Sequence, residues 1–127
     1  MSRKCFNEFV TNHLTLTNGG LELFGKPVEY VWVQGIIVRM IPNSLQFHID
    51  DGTSNLLVIA ESLGETLGNF KVGDYILVQG SVTKGEEERT GEIITILEAR
   101  IVSPLNDPNM ETLWFLEVIA ATERSRV

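Results

Sequence analysis

The residues in this sequence that could do acid–base chemistry fall in two acidic groups, Asp50-Asp51 and Glu86-Glu87-Glu88. A carboxylate serves as a general acid or base when burial or a like-charged neighbour moves its pKa towards the working pH. Asp51 is followed by Gly52, a strong hairpin-turn signal, and the glutamates lie in the polar run GEEERTGE (85–92). Both settings keep carboxylates solvated, so turn formation and solubility are expected of them, not catalysis. His13 and His48 stand far apart with no ligand spacing around them. The single cysteine, Cys5, can form neither an internal disulfide nor a thiolate-rich zinc site. The sequence also contains no Gly-rich phosphate loop, HExxH, GxSxG or CxxC. No catalytic residues, metal or cofactor are expected.

Binding is the remaining class of function, and charge separates its forms. Ten Lys and Arg face seventeen Asp and Glu, a net charge of −7. A protein that grips phosphates on its own usually carries a basic stripe; here the basic residues are scattered. Tyr30, Trp32 and Phe47 can lie on one sheet face as a stacking platform for a single strand, but Arg39 is the nearest cation to them. Aromatics without cations read more readily as core or protein interface. Autonomous single-strand binding is kept as the alternative function.

The elements that must position these residues fit one domain, expected over residues 1–127. Phe6, Phe9, Val10, His13 and Leu14 form an amphipathic stripe, which predicts a helix over 3–14 with Ser2 as its cap. LTLT and LELF flank the Asn18-Gly19-Gly20 turn as short strands. VEYVWVQGIIVRMI (28–41) is a long strand with Gly35 at a bend, followed by strands at 44–49 and 55–60. ESLGETLGN (61–69) suits a short helix or a glycine-broken loop, and FKVGDYILVQGSVT (70–83) turns at Gly-Asp into a fourth strand. The polar connection leads to the fifth strand, IITILEARIV (93–102). Three strands, a connection and two more strands give the order of a five-stranded OB-fold Greek-key barrel, expected over about 28–102. A six-stranded SH3-like barrel is the rival. The fold class is therefore all-β with flanking helices.

The last element carries the strongest functional signal. Asp107 and Pro108 suit a helix start, with Glu111 in the first turn and a helix to about 121. Met110, Trp114, Val118 and Ala121 form one apolar stripe, Leu113, Leu116 and Ala120 a second, and Phe115 and Ile119 a third. A helix lying on its own barrel needs only one stripe buried. The other stripes call for a second protein or a second copy, unless the helix sinks into a deep groove of its own domain. Tryptophan is also enriched at the energetic centres of interfaces.

With VWVQG (31–35), KVGDYILVQGSV (71–82) and LNDPNMETLWFLEV (105–118), the chain resembles the second, smaller subunit of the RecQ-mediated genome instability complex. The similarity covers roughly residues 28–119. It implies a noncatalytic OB subunit in the nucleus that pairs with an OB domain of the larger subunit of that complex. Through that partner it would join a type IA topoisomerase and a Bloom-type RecQ helicase in dissolving double Holliday junctions. Leu113, Trp114, Leu116 and Val118 occupy the helix motif, with Met110 in its first turn, and Trp32 occupies the first-strand motif. Arg100 stands where the family tends to place a basic residue, which the resemblance assigns to further members of the complex. The start of the chain and the stretches 61–69 and 84–92 depart from the family pattern. No membrane partner is expected: no apolar run approaches spanning length, and the N-terminal run is too short for a signal peptide.

Overall fold

The computed structural model describes residues 2–17, 20–42, 44–61, 63–64, 70–87, 89–105 and 110–126. Strands β5 (Tyr30–Met40), β6 (Gln46–Asp50), β7 (Asn55–Ile59), β8 (Tyr75–Glu86) and β9 (Ile93–Pro104) close into a five-stranded barrel. Neighbours run antiparallel along β5–β6–β7 and β8–β9, while β7 meets β9 in parallel and β5 meets β8 to seal the barrel. This is the expected OB-type strand order, not the six-stranded rival.

One strand serves both halves of the barrel because of a glycine. β5 pairs with β8 through Val31–Ile36 and with β6 through Ile36–Met40. At the changeover, a Cβ on Gly35 would stand 2.9 Å from the Asp50 carbonyl oxygen. Any larger residue would hold β5 and β6 apart at that point. Alternation along the strands then sends Val31, Val33, Phe47, Ile49, Leu56, Val58, Ile76, Val78 and Leu97 inwards, each at most 1% exposed. Burial of such side chains, at roughly 1.5–3 kcal/mol each, drives closure of the barrel.

The N-terminal region departs from its periodicity. The helix, α1, covers only Asn7–Asn12, with Phe6 at the N-cap and no side-chain cap bond. Residues Ser2–Lys4 instead form β1, which pairs in parallel with Tyr30–Trp32 of β5. Ser2 is therefore a strand residue and not a cap. Sheet hydrogen bonds to β5 compete successfully with a helix start that has no capping side chain. Beyond the helix, Leu14 opens β2 (Leu14–Thr17), which pairs with β3 (Gly20–Leu23).

The expected strand over 28–41 is also broken, at Glu29. Lys26–Val28 form β4, the partner of β3 across a Phe24-Gly25 turn in which both residues have positive φ. That turn form fits the twist of a hairpin but disfavours phenylalanine. The Phe24 ring is held edge-on to Phe9 at 5.3 Å, a contact that offsets the backbone cost. The polar connection between β8 and β9 starts later than expected, since β8 continues to Glu86. Most of the 61–69 stretch lies outside the described residues; 61 and 63–64 adopt a 3₁₀ turn.

Candidate functional site

The last helix, α2, spans Met110–Arg126. The expected start at Asp107-Pro108 and the side chains of Met110, Glu111 and Phe115 lie outside the described residues. Its remaining apolar residues divide into two opposite faces. Trp114 and Val118 are 3% and 0% exposed, and Thr122 shares their buried side. Leu113, Leu116 and Ile119 are 48%, 61% and 47% exposed. Spaced three residues apart, these last side chains share one face and form a continuous open surface.

The helix rests against β1, the strand that periodicity had assigned to a helix. Lys4 Nζ bonds the Glu117 carboxylate and lies 5.8 Å from the centre of the Trp114 ring. Among the described residues, Trp114 Nε1 and Thr122 Oγ1 have no hydrogen-bond partner although both are buried.

Trp32 and Arg100 come to the same end of the barrel by way of β5. Trp32 is half-buried, opposite Lys4 in β1 and Gln79 in β8, and its carbonyl accepts the Cys5 N–H at 2.9 Å. Exposed Arg100 sits at the irregularity between Gly80 and Gln79 of β8 and stacks its guanidinium 4.1 Å above the Tyr30 ring. The N-terminal half of β5 thus gathers Trp32 directly, Arg100 through Tyr30 and Trp114 through Lys4. Leu113 and Leu116 project from the other side of α2. Sequence reasoning missed Lys4 and Glu117, which are 113 residues apart with no local signal linking them.

A second concave surface lies elsewhere. Arg39, His48 and Leu57 fall in register across β5, β6 and β7. They form the floor of a cleft of about 640 Å³, with Thr11 and Asn12 of α1 and Glu87 and Ile93–Thr95 also lining it. Burial, and then the Arg39 charge, lower the His48 pKa, while Glu87 opposes the shift. Among the described residues, no group of three or more His, Cys, Asp or Glu can hold a metal ion, and no helix is long and apolar enough to cross a membrane.

Comparisons with known proteins agree with this geometry. A chain of a replication protein A heterotrimer, solved bound to single-stranded DNA, matches with a TM-score of 0.75 at 13% identity, covering 100% of this chain and 99% of its own. A chain of the S. pombe Stn1–Ten1 complex matches at 0.66 and 18% identity, covering 84% and 79%. A chain of yeast replication protein A, also bound to single-stranded DNA, gives 0.69 and 15%, covering 97% and 90%. At these identities the likeness establishes the OB fold. No curated protein matches in sequence. The family model for RecQ-mediated genome instability protein 2 matches residues 7–122, from α1 through the buried face of α2, and the chain belongs to that family.

Proposed function

We propose that the protein is a noncatalytic structural subunit that binds an OB domain of a larger subunit through the open face of α2. The observation that carries this reading is the division of α2: Trp114 and Val118 face inwards while Leu113, Leu116 and Ile119 stand free. A helix with a second apolar face gains by burying it against a matching partner helix. Trp114 and Val118 support that surface from behind, and Trp32 and Arg100 belong to the same end of the molecule.

Family membership supplies the setting. In it, the larger subunit links the protein to a type IA topoisomerase and a RecQ helicase. Such an assembly dissolves double Holliday junctions in the nucleus. The similar Stn1–Ten1 and replication protein A chains come from multi-subunit assemblies, which is consistent with pairing between OB subunits. Single-strand binding by the isolated chain is the weaker reading, because a net charge of −7 opposes it.

The test is light scattering after size exclusion, on the chain alone and coexpressed with the OB region of the larger subunit. A one-to-one complex that is lost in Leu116→Glu, with the variant's thermal melt unchanged, supports the reading. Persistence of the complex in Leu116→Glu places the interface elsewhere and rejects it.

A further inference from the structure

The cleft over β5, β6 and β7 belongs to neither α2 nor β1, so partner binding at α2 leaves it open. Its chemistry is mixed in a particular way. Arg39 and Glu87 line it with opposite charges, and among the described residues neither is in an ion pair. His48, held towards its neutral form, offers one N–H donor and one bare ring nitrogen. Asn12 and Asn55 add amides that both donate and accept, and Ile41, Leu57 and Ile94 supply apolar wall. Ile93 beside them is 71% exposed, an apolar shelf at the mouth.

These features discriminate between occupants. Apart from the His48 imidazole, the lining holds no aromatic ring among the described residues, so successive bases have no stacking platform there. The charges of Arg39 and Glu87 cancel, so a phosphate backbone gains no net attraction there. An extended peptide fits better. Its alternating N–H and C=O groups match amide side chains, and one carboxylate suits one arginine. The volume falls within the roughly 300–1,000 Å³ of pockets that enclose small ligands, which suits a few residues and not a folded domain.

We infer that this cleft binds a short extended peptide of another protein, whose carboxylate reaches Arg39 while a neighbouring aliphatic or aromatic side chain covers Leu57, Ile41 and Ile94. Glu87 favours an N–H group or a basic side chain on the same segment. The protein thereby holds two components at once, one on α2 and one on the barrel wall.

The experiment is selection of phage-displayed heptapeptides on the full chain, followed by synthesis of enriched sequences and mapping by ¹⁵N chemical-shift changes. Enriched peptides are expected to carry Asp or Glu beside an aliphatic or aromatic residue and to shift the amides of Arg39, His48, Leu57 and Ile94. Replacing that acid by its amide, or making Arg39→Gln, should weaken binding by about tenfold, the loss of one charge-assisted hydrogen bond. Leu116→Glu should leave the affinity unchanged, which separates this site from the α2 interface. The inference is overturned if no peptide enriches, if enriched peptides lack an acid, or if the shifts fall on α2 and β1. An oligothymidylate that shifts the cleft residues when no peptide does would reassign the cleft to single-stranded nucleic acid.

Discussion

The Asp51 carboxylate accepts the backbone N–H of Asn7 at 2.8 Å, fastening the β6–β7 hairpin turn to the start of α1. The same carboxylate accepts from Thr53 N and Thr53 Oγ1, at 2.9 and 2.6 Å. Among the described residues, the neighbouring Asp50 carboxylate accepts only the exposed Gly52 N–H. Asp51→Ala leaves the buried Asn7 end without its acceptor and should cost about 2–3 kcal/mol in urea unfolding. Asp50→Ala should cost well under half as much, and equal losses would show that Asp51 does not join the two elements.

Among the described glycines, Gly80 faces the opposite strand most closely. A Cβ there would stand 2.1 Å from the Glu98 carbonyl oxygen, within β9. Because backbone cannot retreat as a flexible side chain can, Gly80→Ala should abolish the dispersed amide spectrum of a folded barrel. Gly73→Ala, strained only by its positive φ, should remain folded and lose about 1 kcal/mol.

The two faces of α2 should respond differently to truncation. Val118→Ala removes a fully buried side chain and should lower stability by about 1–2 kcal/mol. Leu116→Ala should change stability by less than about 0.5 kcal/mol, since surface substitutions rarely do more. If Leu116 lies at the centre of the interface, the same substitution should weaken partner binding by about 2 kcal/mol, read by calorimetry.

Acid should loosen the barrel partly through His48. Its folded pKa lies below the ordinary value of about 6.5 through burial first and Arg39 second, with Glu87 pulling the other way. The unfolded chain therefore takes up this proton first as pH falls below about 6.5. Stability declines from there until the folded state also binds the proton, and above that window the group contributes no pH dependence. His48→Gln should flatten the decline that begins as pH falls below about 6.5, read in thermal melts.

The contact between Lys4 and Glu117 joins two half-exposed side chains. Lys4→Glu alone should weaken α2 docking by about 0.5–1 kcal/mol at low salt, with little effect at high salt. Combining it with Glu117→Lys should restore most of the loss, measured as hydrogen-exchange protection of the α2 amides.

The barrel was legible in the sequence because its signals are local. Gly35, Asp51-Gly52 and the β-branched runs each mark a bend, a turn or a strand without reference to distant residues. The N-terminus was legible only in part: a short helix and the two strands after it were visible, but β1 was not. The stripe from Phe6 to Leu14 has helical spacing, yet Ser2–Lys4 take their hydrogen bonds from Tyr30–Trp32, and Phe9 stacks on Phe24. Both relations are tertiary and leave no periodic trace. At the functional site, the excess of apolar residues on α2 was visible, but its division into inner and outer faces was not. A helix apolar nearly all round does not announce its inner side; contact with β1 selects Trp114 and Val118. The cleft stayed hidden because Arg39, His48 and Leu57 become neighbours only through strand register.

The meeting of β1 and α2 also sets an order of events during synthesis. Lys4 leaves the ribosome long before Glu117, and β1 has no seat until β5 exists to pair with it. The helix α2 can settle only where β1 is already seated on β5, so it docks after the strand that supports it. The proposed partner surface is thus the last part of the molecule to take shape. A barrel that fails to close would leave the proposed partner surface without support from β1.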